Sequence, residues 1–334
     1  MLMALITVRE MSPGDYSLVA EVDRAAFSVA SVSRGGERIA LPRHTAGLEY
    51  FRLMAPDLCL VATAGDEIVG YTIGHRWGQI AWIGPIGVAP SHMGQGVGSV
   101  LLDAFYQASV KGGATTIGLE TSLLGNIQLY ERRGYQSACV RLLMSKPVSL
   151  SGPGPQAPSG DEPRPSIMPL VELEPGERIR LGLESVVLTE QVAPGLDYRA
   201  EMTGVPESGM GDTLVALNSD GRLTGFAVLY LHDLRAAAMD IRQAAPDAAV
   251  WAMVGSPAAC RELILACERR AAAAGVTKLK VPCYGGDPHS FALLRQMGYH
   301  PEAAFVRMLR LGEYPGGAGK PWGTAPLSFT TWLG

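Results

Sequence analysis

Apolar positions along this chain fall into short runs of strand character and longer runs with helical spacing. ITVRE, from Ile6, reads as a strand. SPGD then opens a helix, with Ser12 as N-cap, Pro13 suited to the first helical position and Asp15 able to complete a capping box. A second helix is expected over residues 44–54. LCLVATA, EIVGYTIGH and QIAWIGPIGV are three β-rich runs, the first two joined by a hairpin at Gly65-Asp66. Between residues 97 and 111, Val97, Val100, Leu101, Ala104, Phe105 and Ala108 mark one helix face, and Gly112-Gly113 stops it. TTIGLET follows as a strand, LLGNIQLYERR as a short helix and YQSACVRLLMS as a last strand. The order β-α-α-β-β-β-α-β-α-β predicts an α/β fold, a mixed and mostly antiparallel sheet flanked by helices.

The pattern then repeats. VREMSPGDY, from Val8, matches VELEPGERI, from Val171; DEIVGYTIG, from Asp66, matches GRLTGFAVL, from Gly221. Trp82 in QIAWIGPIGV matches Trp251 in AAVWAMVG, and RRGYQSACVRLLM, from Arg132, matches RQMGYHPEAAFVRML, from Arg295. Four matches in one order, about 160 residues apart, indicate a duplicated domain. Between the copies, VSLSGPGPQAPSGDEPRPS has almost nothing to bury. The expected division is a first domain over 1–147, a Pro/Gly-rich linker over 148–167 and a second domain over 168–334. The tail KPWGTAPLSFTTWLG carries Trp322, Phe329 and Trp332, rings that packing against the first domain would shelter.

Length supports the division, since 334 residues exceed one ordinary core. A net charge of −4, from 28 basic and 32 acidic residues without long blocks, speaks against a nucleic-acid surface. Cys59, Cys139, Cys260, Cys267 and Cys283 lack metal-ligand spacing and lie mostly in apolar runs, as small hydrophobes in a reducing compartment do. No metal is expected. No apolar run approaches the roughly 20 residues of a membrane helix, and MLMALITVREM lacks the basic start of a signal peptide. A cytoplasmic protein with no membrane partner is expected; oligomeric state is not legible.

The chemistry concentrates in IGPIGVAPSHMGQGVGSVLLDAF, residues 83–105. A strand ends at Val88, a glycine-dense loop follows, and an amphipathic helix starts at the last glycine. Gly94, Gly96 and Gly98 let backbone N–H groups approach a ligand closely, and the helix start adds unpaired donors and positive dipole. Together these suit a phosphate or pyrophosphate. A Rossmann site needs G-x-G-x-x-G near the start of a βαβ unit, whereas the spacing here is G-x-G-x-G after three antiparallel-looking strands.

VAPSHMGQGVGSVLL resembles the acetyl-coenzyme A signature of the GNAT superfamily of N-acetyltransferases, [RQ]-x-x-G-x-[GA] after a strand ending Val-x-Pro. Met93, Gly96 and Gly98 fall on its core, so the first position departs from Arg or Gln. LYERRGYQ, from Leu129, resembles the family's second signature, with Tyr130, Gly134 and Tyr135 in its places. The resemblance covers residues 4–146 and implies that acetyl-CoA is the co-substrate. It implies that main-chain groups of Ile86, Gly87 and Val88 pair with the pantetheine amides, in a cleft between the strand ending at Val88 and the strand holding Glu120. It also implies that Met93, Gly94, Gln95, Gly96, Val97, Gly98 and Ser99 hold the pyrophosphate, and that Asn126 reaches the pantetheine arm or serves only at the helix start. The second copy has the same relation to the family, but in a degenerate form.

The implied reaction is direct acetyl transfer to a primary amine, on a small molecule or a peptide. Tyr130 is the expected proton donor to the leaving thiolate, and the Val88 amide the expected oxyanion partner. For the base, Glu120 is the first candidate, with His75 and His44 as alternatives; Arg76 either binds an anionic substrate group or is a solvated strand-end arginine. In the second copy, Val254 to Leu263 spans 9 positions where Val88 to Leu101 spans 13, so four residues of loop are missing. Leu294 stands in the place of Tyr130, and conventional cofactor binding is not expected there. The alternative to an enzyme is a non-catalytic acyl-CoA-sensing or interaction module. Aminoacyl transfer from a charged tRNA is a third reading, which the near-neutral charge disfavours.

Overall fold

The computed structural model describes residues 5–32, 45–122, 124–149, 164–231, 247–312 and 327–330. His44, Trp322, Trp332 and most of the linker lie outside them. The first half runs β1 (Ile6–Glu10), α1 (Tyr16–Val32), α2 (Thr45–Met54), β2 (Leu60–Ala64), β3 (Glu67–Trp77), β4 (Ile80–Val88), α3 (Val97–Lys111), β5 (Thr116–Thr121), α4 (Leu124–Glu131) and β6 (Gln136–Pro147). The second half repeats it element for element: β7 (Ser166–Pro169), α5 (Pro175–Val192), α6 (Arg199–Glu207), β8 (Gly211–Leu217), β9 (Leu223–Tyr230), β10 (Asp247–Gly255), α7 (Pro257–Ala273), β11 (Lys278–Tyr284), α8 (Pro288–Gln296) and β12 (His300–Leu311). One strand is additional, β13 (Leu327–Thr330).

Local chemistry sets the first helix. Ser12 N–H and its hydroxyl both donate to Asp15 Oδ2, at 2.7 and 2.8 Å, and a 3-10 turn over Pro13–Asp15 leads into α1. Arg9 of β1 grips the same carboxylate with two bonds, at 2.7 and 2.8 Å, so strand and helix entry are fixed together.

The two halves share one sheet, in the order β1-β2-β3-β4-β5-β12-β6-β11-β10-β9-β8-β7, with β13 on β10. That order reads the same from either end, except that the last strand of each half has crossed over. β12 lies antiparallel to β5, with Arg307 opposite Glu120 and Met308 opposite Leu119. β6 lies antiparallel to β11, with Met144 opposite Val281. β6 and β12 pair with each other at the centre.

Alternation along the strands sorts three cores. Ile117, Leu119 and Met308 pack with Val97, Leu101 and Phe105 of α3. Val281, Cys283 and Met144 pack with Leu263, Ile264 and Cys267 of α7. On the opposite face, Phe51, Trp77, Trp82, Tyr198, Phe226 and Trp251 form one core from both halves. Cys59, Cys260, Cys267 and Cys283 are buried, and none of the five cysteines is paired in a disulfide. Among the described residues no helix is long and apolar enough to cross a membrane. The tail differs from expectation: Phe329 lies opposite Met253 of β10, so β13 belongs with the second half and not against the first.

Candidate functional site

β4 and β5 run parallel and pair from Ile80–Thr116 to Ile83–Leu119, where the register ends. Beyond that point β4 continues to Val88 with β3 on one edge only: Ile86 opposite Thr72, Gly87 opposite Tyr71 and Val88 opposite Gly70. Among the described residues the other edge of 84–88 carries no strand. The result is a wedge whose wall offers main-chain donors and acceptors in strand geometry.

The loop over residues 89–96 stands at the mouth of this wedge and delivers the chain into α3. Gly94 and Gly96 have φ of 76° and 86°, and nothing lies within 4 Å of the place a Cβ would occupy at either. The left-handed backbone and the open space together explain glycine here. Among the described residues the amides of Gly94, Gly96, Val97, Gly98 and Ser99 have no acceptor. Five unpaired donors therefore lie in the loop and first turn of a 15-residue helix, where its dipole is positive. Met93 and Gln95 are exposed, and Gln95 Nε2 donates to the Ser91 carbonyl at 2.9 Å, which stiffens the loop.

Tyr130 lies on α4 in the core beneath α3, edge-on to Tyr135 with ring centroids 6.0 Å apart. Burial pushes its hydroxyl up to about 12, so it keeps its proton throughout the physiological range. Asn126 is half-buried on the same helix.

Glu120 is placed differently from a proton acceptor. Its side chain is 2% exposed, and both oxygens are taken by guanidinium groups. Arg141 Nε reaches Oε1 at 3.0 Å and Oε2 at 2.8 Å, and Arg307 Nε reaches Oε1 at 2.5 Å. Arg141 comes from β6 and Arg307 from β12, the two exchanged strands. The carboxylate thus clamps the centre of the sheet, buried and held between two cations. Sequence reading missed this triad, although the repeat aligns the two arginines in VRLL and VRML.

His75, on β3 and buried, donates from Nε2 to the Gly84 carbonyl at 3.0 Å, because a carbonyl can only accept. Gly84 is the first residue past the end of β4–β5 pairing, so this imidazole sits by the apex of the wedge. Phe51, Trp77 and Trp251 surround it. Arg76 is occupied: it pairs with Asp57 at 2.5 Å and donates to the Gly112 carbonyl at 2.7 Å, closing the end of α3.

The second half departs from this geometry. Gly225 pairs with Gly255 as Gly70 pairs with Val88, so Gly255, not Val254, is the counterpart of Val88. Eight residues separate β4 from α3, and Ser256 alone separates β10 from α7, a larger loss than four positions. The sequence count misaligned the strand ends by one residue and α7 begins earlier than α3. Ser256 Oγ accepts from the Ala259 amide at 3.2 Å, and Pro257 has no N–H.

Residues 29–135 match the model of the acetyltransferase (GNAT) family. No curated protein matches the sequence significantly. Among solved structures, an acetyltransferase candidate from Pyrococcus horikoshii superposes with a TM-score of 0.64 at 15% identity, covering 98% of this chain and 95% of that one. Saccharomyces cerevisiae N-myristoyltransferase, with bound myristoyl-CoA, gives 0.62 at 10% identity over 94% and 80%. A tandem GNAT protein of the clavulanic acid biosynthesis pathway gives 0.58 at 14% identity over 91% and 98%. Residues 29–135 thus carry the GNAT-family match, and the chain as a whole has the tandem GNAT fold.

Proposed function

We propose that the first half is an N-acetyltransferase that moves the acetyl group of acetyl-CoA directly to a primary amine. The observation that carries this reading is the set of five unpaired amides at the start of α3, next to the open edge of β4. The pyrophosphate is taken by residues 93–99, and the pantetheine amides by the main chain of Ile86, Gly87 and Val88. Asn126 and Tyr130 approach from α4, and the carbonyl oxygen develops its charge against the Val88 amide. An amine of pKa about 10 must shed its proton before attack. With Glu120 clamped, His75 is the acceptor this reading assigns. Tyr130, protonated, supplies a proton to the thiolate as the C–S bond breaks.

The test is thiol release from acetyl-CoA against a panel of amines and peptides. Release should depend on the amine, and Tyr130→Phe should lower turnover about 100-fold or more with cofactor affinity nearly unchanged. Coenzyme A binding without amine-dependent release would instead establish an acyl-CoA sensor. Undiminished turnover in the Phe variant, with chemistry rate-limiting, would remove Tyr130 from the mechanism.

A further inference from the structure

The wedge between β4 and β5 has a counterpart between β10 and β11. Those strands pair in parallel from Asp247–Lys278 to Ala249–Lys280 and then part. By their register with β9, Met253, Val254 and Gly255 take the places of Ile86, Gly87 and Val88. In the second half this edge is covered. Leu327 lies opposite Gly255, Ser328 opposite Val254, Phe329 opposite Met253 and Thr330 opposite Ala252, all antiparallel. Because β9 holds the other edge of β10, β13 sits inside the wedge, where it also meets β11 and α8. The segment enters beside the start of α7 and runs inward, toward the point where β10 and β11 part.

We infer that the second half contains a strand-binding groove on the edge equivalent to the first half's open one, and that its occupant is residues 327–330 of the same chain. Two independent features agree. The main chain of β10 finds its partners in β13, as an edge strand finds them in an added strand. The start of α7 also offers an anion little, because the Ser256 cap takes one donor, Pro257 supplies none and only the Ala258 amide is left among the described residues. Neither the rail for an extended ligand nor the cradle for a phosphate remains open. The chain therefore binds one acyl-CoA, in the first half. Occupancy of the groove stands by itself, and only the count of cofactors rests on the function proposed above.

Hydrogen exchange on the full chain, with and without free coenzyme A, reads both points. Residues 252–255 and 327–330 should exchange at least 100-fold slower than unstructured chain and ignore coenzyme A, whereas 84–88 should slow on its addition. The double variant Ser328→Pro with Phe329→Pro removes two adjacent N–H groups, one of which must face β10 because neighbouring residues of a strand point to opposite edges. It should speed exchange in 252–255 at least tenfold and leave the response of 84–88 intact. Exchange of 327–330 at the unstructured rate, or unchanged protection of 252–255 in the double variant, overturns the assignment. Should that variant not fold, paired cysteines at Val254/Ser328 and at Met253/Phe329 serve instead. Adjacent antiparallel pairs alternate in spacing, so one of the two lies at the closer separation and should cross-link on mild oxidation. Failure of both pairs to cross-link in folded protein also overturns the groove. A silent 84–88 segment overturns the donor reading of the first half and leaves the groove standing.

Discussion

At Gly96 the backbone, and not crowding, selects the residue. A φ of 86° with open space beyond it means that valine fits sterically but must hold a left-handed conformation. That costs roughly 1–2 kcal/mol, and relieving it by a change of φ would turn the amides that follow. Gly96→Val should remain folded by circular dichroism and lose calorimetric binding of coenzyme A by at least tenfold; unchanged affinity would falsify the loop assignment. Glu201 on α6 shows a different constraint. Its carboxyl is buried in the core shared by both halves and accepts a hydrogen bond from Trp77 Nε1 at 2.5 Å. Desolvation pushes it up to about 8, against an unfolded value near 4.3. The folded chain thus holds a proton that the unfolded chain releases between about pH 4.3 and 8. Stability from this group is full below that window and is lost as pH rises through it, on the order of 1.4 kcal/mol per pH unit. Glu201→Gln keeps an acceptor for Trp77 and should flatten that slope. Thermal midpoints of both proteins across pH 5 to 8 measure it, and parallel curves would show that Glu201 does not carry the slope.

Elements were largely legible, and their neighbours were not. The helical face from Val97 to Ala108 and its glycine stop read directly as α3, and the loop chemistry before it needed only glycine spacing. All ten elements of the first half follow from such local signals. The exchange of β6 and β12 does not, because period-2 alternation fixes which face of a strand is buried and leaves open which edge it joins. The two strands even share the Val-Arg-apolar-apolar run, so each suits either place. Glu120 was misjudged for the same reason. A carboxylate on a strand beside the wedge looks like a base until two arginines, one of them 187 residues away in sequence, are seen to hold it. His75 was visible only as a lone histidine, and its contact with Gly84 requires the bulge that shifts the β3–β4 register.

The whole molecule is one interlocked sheet, and this bears on what can be cut from it. A fragment of residues 1–147 keeps the Gly96 loop but loses β12 from the edge of β5 and both neighbours of β6. It should be insoluble, or else pair with a second copy by exchanging β6; sedimentation would decide, and a stable, fully active monomer would show that the second half is dispensable. The crossed strands also impose an order in time. During synthesis β5 emerges about 180 residues before β12, the strand that must lie beside it. At translation rates of 5–20 residues per second, that interval is roughly 10–40 s. Throughout it the first half stands on the ribosome with a raw edge at β5, which closes only after most of the second half has been made.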